Sequence, residues 1–151
     1  MAIQIKITVD SKNVDRKLAR IAVGLQDLRP AFNNIGDELT ADFFGKKVFD
    51  AQGAESGGRW KSLSPRTLQA RANRTGHYAK SPVATNKILV WTGALQKGFR
   101  RTVKAMSLRI SNLVDYFKYN QPNRPMLSEG KGVLAIITKH MNRYIQKLIA
   151  K

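Results

Sequence analysis

Hydrophobic and polar positions alternate strictly at the start of the chain, where Ile3, Ile5, Ile7 and Val9 are separated by Gln4, Lys6 and Thr8 and followed by Asp10. A period of two puts the four apolar side chains on one face and predicts a strand with one buried side. The period then lengthens. Leu18, Ile21, Leu25 and Leu28 recur at steps of three and four, which is one stripe of a helix beginning near 13–15. Pro30 interrupts that stripe. Without an N–H it fits the first turn of a new helix better than the middle of an old one, so the segment is one kinked helix or two consecutive ones. Phe32, Ile35, Leu39 and Phe43 carry the three-and-four spacing on to about Phe49.

Downstream the pattern is shorter-ranged. Glycines and small polar residues in 52–58 predict a loop. Ser64 followed by Pro65 predicts an N-cap and first helical residue ahead of Thr67, Leu68 and Ala70. Residues 73–86 have no period and several turn formers, and read as an exposed loop. Over 99–111, Met106, Leu108 and Ile110 alternate with Ser107, Arg109 and Ser111, which predicts a hairpin turning at Lys104 and Ala105. Leu134, Ile137, Met141, Tyr144 or Ile145, and Leu148 form a final helical stripe opposite Lys139, Arg143, Gln146 and Lys147. The sum is an α+β fold: a small antiparallel sheet packed against long N-terminal and C-terminal helices, with extended loops. With 151 residues and 42% hydrophobic content, a single domain over 1–151 is expected.

Composition removes several kinds of chemistry. The absence of cysteine excludes disulfides, thiol nucleophiles and cysteine zinc sites, and suits assembly in a reducing cytoplasm. His77 and His140 have no neighbours at metal-ligand spacing, and His140 is expected to be solvated on the last helix. Neither GxxxxGK[ST] nor GxGxxG occurs, so no cofactor is expected. Asp37, Glu38 and Asp42 are the one acidic cluster that could hold a nuclease metal. Their spacing to each other and to Lys46 predicts instead a solvated helix face with i,i+4 pairing. No apolar run reaches the roughly 18 residues of a membrane span, and the alternating start is unlike a signal peptide, so a soluble, unprocessed protein with no membrane partner is expected.

Charge changes the picture most. The net charge is +17, from 27 basic and 10 acidic residues. Residues 1–52 hold 8 and 7 of these, 53–131 hold 15 and 3, and 132–151 hold 4 and 0, so the excess belongs to the middle and the end. Such an excess calls for a polyanion or an acidic partner surface.

Three groups stand outside simple periodicity. Phe44 and Gly45 lead through the glycine loop to Arg59, Trp60, Lys61, Ser62, Leu63 and then Thr67, and a tryptophan there is expected to anchor the loop on the core. Lys87, Ile88 and Leu89 precede Thr92, Gly93, Ala94 and Leu95, apolar residues around a glycine turn. Residues 116–127, YFKYNQPNRPML, read as a loop locked by its own side chains.

The order F-G, glycine loop, W-x-x-L, T, K-x-L-x-x-T-G-x-L, strand pair, tyrosine segment with an amide pair, R-P-x-L and amphipathic helix resembles the phage virion morphogenesis family, whose members are similar to Mu-type tail completion proteins. The resemblance runs roughly from Phe32 to Leu148. Its anchors are Trp60, Leu63, Thr67, Leu89, Thr92, Gly93, Leu95, Tyr116, Gln121, Arg124, Pro125 and Leu127. Three departures stand out: Phe117 replaces the alanine that usually follows the tyrosine, Pro122 and Asn123 alone separate Gln121 from Arg124, and 74–86 is expanded.

The resemblance implies a non-catalytic virion protein that completes the tail or joins it to the head, assembled in the host cytoplasm as a homo-oligomeric ring. Its partners would be other phage structural proteins, of the connector or neck and of the tail tube or terminator. Packaged DNA threading the ring would be contacted without sequence specificity. The residues expected to meet DNA or acidic neighbours are Arg66, Arg71, Arg74, Lys80, Lys97, Arg100, Arg101, Lys104 and Arg109, with Arg100, Arg101, Lys97 and Lys104 the best local cluster. The loops 53–62 and 73–86 are expected to be ordered by those neighbours. Two further readings stay open. A free, sequence-independent nucleic-acid-binding protein accounts for the charge but has no recognition motif, and an enzyme would rest on the Asp37, Glu38, Asp42 cluster.

Overall fold

Pro30 sits where its missing N–H costs nothing. The first helix, α1 (Ser11–Leu25), ends ahead of it, and α2 (Arg29–Asp37) carries it in the first turn. The Leu28 N–H donates to the Ala105 carbonyl at 2.8 Å, which fixes where α2 starts. These elements belong to a computed structural model that describes residues 11–78, 87–90 and 92–150. The alternating segment 3–9, with its expected strand, lies outside the described residues, as do Lys80 and the remainder of 79–86.

The chain runs from α2 through a π-helical stretch, Glu38–Lys47, into α3 (Val48–Asp50). The Val48 N–H reaches back five residues to the Phe43 carbonyl, so each turn holds more residues than an α-turn. The three-and-four spacing of the sequence still reaches Phe43, but it no longer describes the whole buried face after Leu39. Beyond it, adjacent pairs turn inward together: Phe43 with Phe44, then Val48 with Phe49, all buried. They form the core with Ile35, Trp60, Ile88, Leu95, Phe99, Met126 and Val133. Phe44 stacks on Phe99 at 5.7 Å, and Phe49 meets Trp60 edge-on at 5.4 Å.

The predicted short helix is present as α4 (Pro65–Ala72), with the Ser64 Oγ accepting from the Thr67 N–H at 3.2 Å. A turn of helix, α5 (Ala94–Lys97), leads into β1 (Phe99–Lys104) and β2 (Ser107–Asn112). These strands pair antiparallel from Phe99 opposite Asn112 to Lys104 opposite Ser107. The turn is thus Ala105 and Met106, one residue later than predicted. Met106 is left exposed at the tip, because the real alternation begins at Leu108. A short α6 (Phe117–Asn120) and the long α7 (Lys131–Ala150) complete the chain. The α+β architecture of the sequence reading is the one observed, with a two-stranded sheet.

Two predicted stripes differ from the packing. On α1, Leu18 is 58% exposed and Leu25 is 39% exposed, with Val14 and Val23 also open. Among the described residues α1 docks at its end, where Gly24 lies under Leu148 and the Tyr144 hydroxyl donates to the carbonyls of Gly24 and Asp27 at 2.9 and 3.0 Å. The Gly24 carbonyl also accepts from the Asp27 N–H at 3.3 Å, so Tyr144 adds a second donor to the turn that closes α1. On α7 the inward residues are Val133, Ile136, Ile137, His140, Met141, Tyr144 and Leu148, while Leu134 points out. His140, expected to be solvated, is buried, its Nε2 at 2.7 Å from Glu38 Oε2. A period of 3.6 carried back from Met141 passes between Leu134 and Val133, and the docking geometry selects Val133.

Candidate functional site

The Arg-Pro segment is where distant parts of the chain meet. The Pro125 carbonyl accepts from Trp60 Nε1 at 3.0 Å and from Ser56 Oγ at 2.6 Å. Gln121 holds the next two residues. Its Oε1 accepts from the Met126 and Leu127 N–H groups at 2.9 and 3.1 Å, and its Nε2 donates to the Leu127 carbonyl at 2.6 Å. One amide side chain thereby replaces the ladder that an irregular, half-buried backbone lacks. Asn120 Nδ2 closes the preceding turn on the Tyr116 carbonyl at 2.9 Å.

Trp60 is 4% exposed and reaches this carbonyl because its indole lies flat on Gly53. Gly53 has φ +86°, and a Cβ there would overlap the Trp60 ring, so no other residue serves. The 53–62 loop, expected to be ordered by neighbours in an assembly, is ordered by its own contacts. Besides Trp60, Ser56 is fully buried and the Trp60 N–H donates to the Gln52 carbonyl at 2.8 Å.

Seven of the twelve anchors, Leu63, Thr67, Leu89, Thr92, Leu95, Tyr116 and Arg124, line one open groove of about 990 Å³. Of the other five, Trp60, Gln121 and Pro125 tie the Arg-Pro segment beside Arg124 to its neighbours, while Leu127 lines a separate apolar cavity with Phe32, Ile35 and Leu39. Gly93, at φ +75°, turns the chain into α5. Lys61, Arg71 and Arg124 supply the groove's charge, and none of the described residues that line it is acidic. Arg71, expected at the surface, is only 7% exposed. Its Nη1 donates to the Lys87 carbonyl at 2.8 Å and its guanidinium lies 5.5 Å from the Tyr78 ring centroid. The sequence held a signal for this. Arg71 follows Thr67 by four residues on α4 and so shares its face.

The remaining expected cations sort by strand face. On the hairpin, Arg100, Thr102, Lys104, Ser107, Arg109 and Ser111 share the outer face, and Arg109 pairs with Thr102 between Arg100 and Lys104. Arg101 is on the inner face. It forms an ion pair with Asp37 at 2.9 Å and also donates to the Asn33 carbonyl, so it is removed from the cationic cluster. Arg100 Nη1 donates to the Lys97 and Phe99 carbonyls at 2.8 Å each, holding Lys97 beside the hairpin. Among the described residues, no carboxylate pairs with Lys97, Arg100, Lys104 or Arg109. Arg66 and Arg74 are exposed on and just after α4.

The acidic residues do not converge. Asp37 goes to Arg101, while Glu38 goes to α7, where Lys139 Nζ is 2.9 Å away beside His140. Pairing is therefore between elements and not along the helix, as the π-helical stretch removes the i,i+4 alignment. Lys139 first, and His140 second, hold the Glu38 carboxyl below its ordinary 4.5. A lowered folded-state pKa adds stability above the ordinary value and loses it as pH falls through the lowered one. Glu38→Gln is expected to cost about 1 kcal/mol at neutral pH. The gap between the two melting temperatures should stay constant down to about pH 5 and close below it. A gap that widens on acidification would show that the ion pair is not what docks α7. Comparisons with protein-family models, with curated proteins and with solved structures return no match for this chain.

Proposed function

We propose that this chain is a structural subunit of a tailed-phage particle that completes the tail or joins it to the head, as one member of a ring around the DNA channel, and that it is not an enzyme. The convergence of the anchors carries this reading. Seven of the residues chosen by their order from Trp60 to Leu127 line one groove, and Trp60, Gln121 and Pro125 tie its Arg-Pro wall in place. Two surfaces suit a ring: the cationic outer face of the hairpin, and the open apolar side of α1 with Val14, Leu18 and Val23. Electron microscopy of particles made without this protein tests the proposal. Separate full heads and tails are expected, and normal infectious particles would overturn it.

The hairpin favours one second reading, a nucleic-acid-binding protein with no sequence preference. Outer-face cations with no carboxylate beside them would meet phosphates equally well. Salt separates the two. A plain DNA complex should lose affinity steeply as salt rises, whereas a ring closed by apolar packing should persist.

A further inference from the structure

Arg124 is in an unusual position for a charged residue. It is half-buried at the groove, its Nε is shielded from solvent with no acceptor, and among the described residues it has no carboxylate partner. A guanidinium held partly out of water without an anion carries a cost that an anion brought by a partner would offset. Arg71, clamped by the Lys87 carbonyl and the Tyr78 ring, adds a second fixed charge, and the exposed Lys61 stands at the rim. Leu63, Leu89 and Leu95 form the apolar side of the same groove.

We infer that this groove takes a carboxylate from an extended acidic segment of a neighbouring protein, with an adjoining apolar side chain of that segment seated on the leucine wall. The inference rests on the reading of this chain as an assembly subunit and names the chemistry that its neighbour must present. The planar fork of an arginine matches a carboxylate in two-point fashion, and the leucines beside it favour a peptide over a nucleic-acid backbone, which offers phosphates without aliphatic side chains. The outer face of the hairpin, open and without such walls, is the better surface for phosphates.

The probe is a short fluorescein-labelled peptide of alternating leucine and aspartate, added to the full chain and followed by fluorescence anisotropy and by the Arg124 Nε–H resonance. Saturable binding is expected, with the resonance shifting in step. An otherwise identical peptide with asparagine for aspartate should bind more weakly. Arg124→Gln should reduce affinity about thirtyfold or more, and the exposed Lys61→Glu several-fold. No peptide binding, equal binding of the asparagine peptide, or an unmoved Arg124 resonance would overturn the inference. So would a short DNA duplex that moves the resonance where the peptide does not. Should Arg124→Gln fail to fold, Lys61→Glu decides, and unchanged affinity there is a negative answer. Normal particles made without this protein would remove the phage role yet leave this binding result standing, so the two can fail separately.

Discussion

Trp60→Ala is expected to destabilise the fold by about 3–5 kcal/mol, the range for deleting a buried aromatic side chain. The side chain is 4% exposed, meets Phe49 edge-on and donates to the Pro125 carbonyl, so the substitution opens a cavity and strands part of the loop in one step. Against a total stability of about 5–15 kcal/mol for a domain, this is a large share. Thermal melting should fall by about 10 °C or more. Trp60→Phe separates the contributions. It keeps a ring over Gly53 and removes the donor, for an expected cost of about 1–2 kcal/mol. Urea unfolding of the three proteins measures both differences. A cost under about 1 kcal/mol for Trp60→Ala would mean that the 53–62 loop is not held by its indole, and that Ser56 alone ties it to the Arg-Pro segment.

What the sequence made legible follows from how local each signal is. Ser64 and Pro65 act within one turn, and their helix lies where they place it. Pro30 likewise needs only its own missing N–H. The π-helical stretch and α3 could not be read this way, because their inward pairs, Phe43 with Phe44 and Val48 with Phe49, are selected by a core assembled from residues as distant as Met126. The burial of His140 has the same origin: its partner, Glu38, lies 102 positions away and is brought close only when α7 docks. For the hairpin, alternation identifies both strands but misplaces the turn by one residue, since Ala105 and Met106 carry no glycine, asparagine or proline to mark it. At the groove, the anchors are visible as an order of residues and Arg71 shares the α4 face of Thr67, whereas nothing local marks Lys61 as part of the lining or Ser56 as a support behind it. Their roles depend on the Pro125 carbonyl, the Tyr78 ring and the leucine wall, all contributed by other segments.

On the proposed role in the particle, reversing the outer charges, as Lys97→Glu, Lys104→Glu and Arg109→Glu together, is expected to abolish joining of heads to tails while leaving the fold intact. Each reversal removes two units, so the net charge falls from +17 to +11. All three side chains are exposed and without carboxylate partners among the described residues, and surface changes of this kind usually shift stability by less than about 0.5 kcal/mol. Like charges on adjacent strand positions repel each other, so Arg109 between Arg100 and Lys104 costs the hairpin stability in isolation. Reversal at 104 and 109 turns the repulsion between positions 100 and 109 into attraction and leaves 104 and 109 alike in sign, so the melting temperature should stay unchanged or rise slightly. The particle measurement then tests the surface and not the fold. Arg100 is left in place because its guanidinium ties α5 to β1 through the Lys97 and Phe99 carbonyls. If the face meets DNA, binding of a duplex by the triple variant should show a shallower salt dependence, by about 0.9 in log-log slope for each phosphate that is no longer neutralised. A slope unchanged in the variant, with joining abolished, would assign the face to an acidic protein neighbour. Joined, infectious particles carrying all three glutamates would mean that neither DNA nor protein meets this face.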